Sequence, residues 1–485
     1  MKPRFTMRAA LYDPNLLGSA LVGPTWDPWR VLLIAALGEG LLRSERWTFE
    51  KLTGRPIEPG QLVEELWAIV GRRGGKSRAM SVLAAYLGGL VDHSDVLSPG
   101  EVGVLLCVAP DQRQAGIVLN YIEATLERSP ILKPLIANRT ADTIELTNGI
   151  SIEVRASSFR RLRGPTYIGV ICDEAAFFVT DEYSSNPDSE IIGAIRPGLS
   201  TTRGILAVVS SPYARKGELY ATWRSHYGPH GDPRILVARA PSRELNPTLG
   251  QFVIDRAMAR DPAAASAEYL AEFRSDVQAF LSREAIEAVV PSGVRERAPI
   301  EGLSYVAACD PSGGANDSFT LAIAHLDNER ERAILDCVRE IVPPFNPENA
   351  TRELAKVIQS YSLAVVTGDR YGGEYPRAAF ARFGIEYQVA TKVKSDLYLE
   401  LVGPLNAGQI ELVDHPRLIN QLCNLERRTA RSGRDSIDHG PGGHDDVANA
   451  AASALYAARA SDQWDQGIPC APRIFSDERK VIWGD

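Results

Sequence analysis

The sequence has no apolar run near the roughly 18 residues needed to span a bilayer; the early stretch Val31 to Leu37 stops far short. Lys2, Arg4 and Arg8 make the start basic, but Asp13 and Asn15 interrupt the next stretch, which argues against a secretory leader and for a cytoplasmic, membrane-free protein. Cysteine is scarce. Cys107, Cys172, Cys309, Cys337, Cys423 and Cys470 are scattered, form no CxxC pair and have no histidine at zinc spacing, which excludes a disulfide framework and a structural zinc site. A positive excess is also lacking: 53 Lys and Arg against 61 Asp and Glu leave a net charge of −8, so any nucleic-acid contact must come from local patches. Gly (40) and Pro (31) are at ordinary levels, which excludes collagen-like and low-complexity chains. What is present is 485 residues that are 45% apolar, enough for two to four packed units at about 100 to 200 residues each.

Residues 66 to 215 alternate apolar strands with helical or loop segments. Leu66 to Val70, Val102 to Ala109, Tyr167 to Cys172 and Ile205 to Val209 each end in a polar or Gly-rich turn, the pattern of a parallel sheet that binds ligands at its C-terminal edge. Between them Thr143 to Thr147 and Ile150 to Val154 alternate around Asn148-Gly149, which predicts a hairpin. From about Ala240 to Pro299 an Ala-rich helical run and a charged stretch suggest a connector. Three consecutive strands come next, Tyr305 to Cys309, Phe319 to Leu326 and Arg332 to Ile341, succeeded by a helix (Asn349 to Ser360), a strand near Ala364 and a closing Ala-rich helix from about Val447 to Arg459. Such an order suggests an RNase H-like sheet. The expected α/β architecture is a parallel-sheet domain over 1–240, which Gly71-Arg72-Arg73-Gly74-Gly75-Lys76-Ser77 after its first strand marks as a P-loop ATPase domain of the RecA/ASCE type, then a connector over 241–299, an RNase H-like domain over 300–460 and a tail over 461–485.

After the strand ending at Val70 comes Gly71-Arg72-Arg73-Gly74-Gly75-Lys76-Ser77 and then a helix. Glycines turn backbone N–H groups toward phosphates, the helix N-terminus favours anions, Lys76 reaches the β- and γ-phosphates, and Ser77 ligates Mg²⁺. Val70 stands where GxxxxGK[ST] has its first Gly, so the tripeptide alone is a weak signal. Downstream, Gly169 to Cys172 runs apolar into Asp173-Glu174: Asp173 suits a Mg²⁺ contact and Glu174 suits the base that polarises the attacking water. Together the two motifs predict ATP as cofactor. Ser210-Ser211-Pro212 ends the next strand and offers hydroxyls that could sense the γ-phosphate, while Trp29, in Trp26-Asp27-Pro28-Trp29-Arg30, could stack on adenine.

A second set of acids ends other elements: Asp310 after Ala307-Ala308-Cys309, Asp369 after Val365-Val366-Thr367-Gly368, and Asp445-Asp446 at the start of the last helix. Phosphodiester hydrolysis by two Mg²⁺ or Mn²⁺ ions about 4 Å apart needs clustered carboxylates, because hard cations take oxygen ligands. Any one of these residues could instead cap a helix or a turn. Arg155, Arg160, Arg161 and Arg163, and separately Arg427, Arg428, Arg431 and Arg434, form acid-poor basic clusters suited to DNA phosphates.

In this order, Arg72 to Ser77, Val108-Ala109-Pro110 with Gln112, the Asn148-Gly149 hairpin, Arg163-Gly164, Asp173-Glu174, Ser210-Ser211-Pro212, Asp310, Asp369 and His444-Asp445-Asp446 resemble the large terminase subunit of tailed double-stranded DNA bacteriophages, from about Trp26 to Ala457. The resemblance implies a genome-packaging motor that also cuts concatemers. Its phosphate loop, Arg-x-x-Gly-Lys-Ser, is similar to Arg72 to Ser77 and implies that Arg72 neutralises charge at the γ-phosphate, with Arg73, Gly74 and Gly75 in the cradle. The family's adenine-side Gln is replaced by Trp29-Arg30, and Asn449 stands for the second acid of the last helix. Asp310, Asp369 and Asp446 are implied as catalytic metal ligands, and which of Asp445 and Asp446 ligates is left open. Implied partners are double-stranded DNA, a portal protein, a small terminase subunit, a procapsid and further copies of the chain in a ring, in the host cytoplasm. The rival readings are a helicase-like or repair ATPase with an attached nuclease, and a packaging ATPase whose second domain is only structural.

Overall fold

Aliphatic runs at Glu65–Val70 (β1), Gly103–Ala109 (β2), Tyr167–Asp173 (β6), Ile205–Ser210 (β7) and Ile235–Ala240 (β8) are buried along nearly their whole length, as strands covered on both faces must be. In the computed structural model, which describes residues 2–157, 162, 164–178, 187–315, 317–369, 374–429, 435–440 and 443–465, these strands run parallel in the order β8-β1-β7-β6-β2. Ile150–Ala156 (β5) continues the sheet parallel to β2, and Ile136–Arg139 (β3) and Thr143–Leu146 (β4) close that edge antiparallel. Alternate residues of each strand enter different cores: Leu66, Ala68 and Val70 pack with the helices Asp27–Ala36 (α1) and Lys76–Gly89 (α2), while Trp67 and Ile69 pack with Ile191, Ile195 and Leu219 on the other side. The register pairs Ile69 with Ser210 and Val209 with Asp173, so the phosphate loop, the Asp173-Glu174 step and the Ser210-Ser211 step leave the sheet at one level.

This unit spans Met1–Phe280 together with Asn424–Gly443. Residues 241–280, expected within a connector, supply the helices Ser242–Leu245, Gln251–Arg260 and Pro262–Leu270 (α3), which bed the phosphate loop. The strand Val277–Ala279 pairs with Leu425–Thr429, whose partner is Asp435–His439. That hairpin is fixed by Glu426, 1% exposed, which accepts hydrogen bonds from the Tyr213 hydroxyl and the Lys216 ammonium, both at 2.7 Å.

The second unit, Leu281–Cys423 with His444–Asp485, holds a six-stranded sheet. Tyr305–Asp310 (β9), Phe319–Asp327 (β10) and Arg332–Ile341 (β11) form the expected antiparallel meander; Val365–Gly368 (β12) and Glu386–Val389 (β13) add parallel to β9, and Ile410–Glu411 (β14) pairs with β11. The order β13-β12-β9-β10-β11-β14 keeps the RNase H arrangement with one added edge strand. One face packs Ala307, Phe319, Leu321 and Ile323 against the helix Pro347–Ser360 through Leu354 and Ile358. The other carries Lys394–Asn406 (α4) and Asp446–Asp465 (α5), whose buried Ala448, Ala451 and Ala452 let α5 lie close against the strands. Five cysteines are free, four of them buried, in keeping with reduced core residues; Cys470 and the tail from 466 lie outside the described residues. Among the described residues no helix is long and apolar enough to cross a membrane.

Candidate nucleotide site and candidate metal centre

The phosphate loop is shaped by backbone the sequence permits only at glycine or under strain. Gly75 has φ +84°, and a Cβ there would meet the Trp26 ring at 2.8 Å; Arg73 also sits at positive φ, 66°. The loop is held from outside: the Arg72 N–H donates to the Glu268 carbonyl, the Ser242 hydroxyl to the Arg72 carbonyl at 2.7 Å, and the Asn246 amide to the Arg73 carbonyl at 3.0 Å. Trp29, expected to stack on adenine, is fully buried and donates its indole N–H to the Gly74 carbonyl at 2.8 Å. In this structure it has no face to offer a base, because the loop needs that carbonyl satisfied. Arg72, expected at the γ-phosphate, instead turns its guanidinium to Glu268 at 3.2 Å.

Inside the loop the expected groups do converge. The buried Lys76 ammonium donates to Ser211 Oγ at 2.8 Å and lies 3.1 Å from Glu174 Oε1. The Ser77 hydroxyl donates to Asp173 Oδ2 at 2.8 Å. Asp173 is 5% exposed, and its Oδ1 has no hydrogen-bond partner. Burial, then the neighbouring Glu174 charge, pushes Asp173 up to about 6. A buried carboxylate oxygen without a donor, beside a serine hydroxyl, suits the oxygen-only demands of Mg²⁺. Glu174 stands at φ 55°, a left-handed conformation rare for a non-glycine residue, and its Oε2 accepts from the Ser211 N–H at 3.2 Å. Ser211 thus touches both the lysine and the glutamate, a junction that the Ser210-Ser211-Pro212 motif only hinted at.

In the second unit, Cys309 pairs with Gly368 across parallel β9 and β12, so Asp310 and Asp369 leave neighbouring strands at the same height. Antiparallel β10 sets Thr320 opposite Asp310, and the Thr320 hydroxyl donates to the Asp446 carbonyl at 2.8 Å, which brings the start of α5 to the same end of the sheet. One turn along α5, the Asn449 amide donates to Asp310 Oδ2 at 2.8 Å. Burial first, then the charges of Asp369, Asp446 and Asp445, push Asp310 up to about 7 against the opposing Asn449 hydrogen bond. Asp446 is likewise raised by burial, while the Ser318 N–H at 3.2 Å holds it down. Mutual repulsion of this kind is relieved by a cation, and the donor set of carboxylate oxygens fits Mg²⁺ or Mn²⁺. Asp317, which sequence reasoning did not single out, and His444, named there only within the His444-Asp445-Asp446 motif, have ligand atoms within 4.8 Å of each other and of an Asp446 oxygen.

Asp445 is not available in the same way. It is 5% exposed, ion-paired to the Lys394 ammonium at 3.0 Å and bonded by the Tyr398 hydroxyl at 2.9 Å. The basic clusters are also engaged where they are described: Arg155 pairs with Glu153, Arg427 with Asp435 and Arg428 with Glu426. Arg160, Arg161, Arg163, Arg431 and Arg434 lie outside the described residues.

A pH effect is expected from this cluster. Folded Asp310 titrates near 7 against an unperturbed 3.8, so between those values the folded protein holds a proton that the unfolded chain has released, and stability falls as pH rises through that window. In chelator, the melting temperature of the wild-type chain relative to Asp310→Asn is expected to drop from about pH 4 to about pH 7, and Mn²⁺ should restore it most at the upper end. A difference that does not vary with pH would contradict the assignment.

No protein-family model matches the chain, and no curated protein matches it. Among solved structures it matches the crystal structure of the HK97 bacteriophage large terminase at 15% identity and a TM-score of 0.40, over 94% of this chain and 100% of that one. The chain is similar to phage large terminases. A large terminase from a thermophilic bacteriophage matches at 13% identity and a TM-score of 0.37, over 81% of this chain and 94% of that one. The large terminase nuclease from thermophilic phage G20c with bound magnesium matches at 18% identity and a TM-score of 0.32, over 37% of this chain and 98% of that one. At these identities the likeness is one of fold, and no residue's role is taken from it.

Proposed function

We propose that this chain is an ATP-driven translocase of double-stranded DNA joined to a metal-dependent endonuclease, and that it packages a phage genome into a procapsid and cuts the concatemer at the start and end of packaging. The observation that carries this reading is that one chain holds both a nucleotide constellation, Lys76 and Ser77 against Asp173 and Glu174, and an acid cluster at the end of an RNase H-like sheet. A helicase needs a second RecA-like lobe, and the second unit has the RNase H strand order instead.

At the first site Lys76 would turn from Glu174 and Ser211 to phosphate oxygens, and Ser77 and Asp173 would hold Mg²⁺, which would supply charge neutralisation at the transferring phosphoryl group. Glu174, freed from the ammonium, accepts the proton of the attacking water. Ser210 and Ser211 touch Glu174 and Lys76 at once, so loss of the γ-phosphate changes their hydrogen bonds and moves the segment beyond Pro212. At the second site Asp310, Asp369 and Asp446 would hold Mg²⁺ or Mn²⁺, with Asn449 orienting Asp310. The terminase resemblance adds a portal protein, a small terminase subunit and a ring of copies acting in the host cytoplasm. The test supplies the purified chain with ATP, procapsids and linear DNA: ATP-dependent protection of the DNA from an added nuclease supports the reading, and duplex unwinding without protection favours the helicase.

A further inference from the structure

Asp445 and Asp446 are consecutive, yet the fold gives them different neighbours. Asp446 accepts from the Ser318 N–H, and one turn on Asn449 reaches Asp310, so this side of α5 faces the acid cluster. Asp445, the residue just before the helix, turns its carboxylate to another element. Both of its oxygens lie within 3.3 Å of the Lys394 ammonium, and one also accepts from the hydroxyl of fully buried Tyr398. Lys394 is itself placed against local preference: it is the first residue of α4, where the helix dipole disfavours a cation. There the cation is paired with a carboxylate more than nine-tenths buried.

We propose that Lys394 is a positioning residue for the cutting reaction: its ion pair fixes the first turn of α5 and keeps Asp445 out of the metal's ligand set, leaving Asp446 to ligate with Asp310 and Asp369. The inference rests on the nuclease reading above. It also explains how two adjacent acids, of equal standing in the sequence, divide into one ligand and one anchor.

The test measures Mn²⁺ binding by calorimetry and the Mn²⁺ dependence of plasmid nicking by the full chain. Lys394→Met strands the Asp445 charge beside the cluster, so half-saturating Mn²⁺ should fall several-fold while the rate at saturating Mn²⁺ also falls, and Lys394→Arg should restore both. Asp445→Asn removes the carboxylate charge that the Lys394 ammonium pairs with and should weaken Mn²⁺ binding several-fold without abolishing it. The double variant, Lys394→Met with Asp445→Asn, should bring half-saturation back toward the wild-type value, the non-additivity expected of a pair that acts together. A purely structural role would lower activity in every variant without these opposite shifts in metal affinity. If Asp445→Asn loses Mn²⁺ binding as completely as Asp446→Asn, Asp445 is a ligand and the inference is wrong. A wild-type chain that neither binds Mn²⁺ nor nicks would instead remove the nuclease reading.

Discussion

Glu174→Gln should lower ATP turnover by about 10²–10⁴-fold, the range for loss of a positioned general base, while nucleotide affinity stays close to wild type. The amide keeps the shape of the side chain and can still accept from the Ser211 N–H, so the left-handed turn at residue 174 and the Lys76 environment survive. What is lost is the basic oxygen. The wild-type side chain lies against Lys76 at 3.1 Å, a contact that the proposed mechanism expects bound phosphate to break. Phosphate release at steady state, with equilibrium binding of a fluorescent nucleotide, separates the two effects. Turnover within tenfold of wild type would mean that another group takes the proton.

The second large effect is expected at Asp310. Asp310→Asn should reduce Mn²⁺-dependent nicking by roughly a hundredfold or more, since it replaces a proposed metal ligand where outer-shell partners alone are worth about 10–100-fold, and should leave ATP turnover in the absence of DNA within about twofold. The residue is central because three other carboxylates, Asp369, Asp446 and Asp445, raise its proton affinity. In the metal-free protein above pH 7 the same substitution should be stabilising, because it removes a charge that the fold keeps half-buried among like charges. A variant that loses cutting and is also destabilised in chelator would mean that Asp310 supports the fold rather than the metal.

Much of this was legible in the sequence because it depends on strand ends. A parallel strand delivers the residue after its last buried position to the C-terminal edge, so Asp173-Glu174, Asp310 and Asp369 could be assigned to sites from their place after apolar runs. The order of a meander followed by alternating helices and strands carried the second sheet. What local pattern could not carry were contacts between distant segments. Arg72 reads as a phosphate ligand until Glu268, 196 residues away, takes its guanidinium. Trp29 reads as an aromatic platform until the Gly74 carbonyl claims its indole. The arginine-rich stretch that holds the strands Leu425–Thr429 and Asp435–His439 falls within the expected second domain until Val277–Ala279 pairs with the first of them and Glu426 is buried against Tyr213 and Lys216. Asp445 and Asp446 are equivalent in sequence and are told apart by contacts from distant segments, Lys394 and Tyr398 on the first and Ser318 on the second. One clue was available early: a lysine opening a helix runs against the dipole.

The central claim is that acids from separate strands and a helix form one cation site, and anomalous scattering from crystals of the full chain soaked in Mn²⁺ tests it most directly. The account predicts Mn²⁺ with oxygens of Asp310, Asp369 and Asp446 at coordination distance, roughly 2.0–2.6 Å, and Asp445 still paired with Lys394. Mn²⁺ found only elsewhere on the chain, with those three carboxylates ligating no ion, would contradict it.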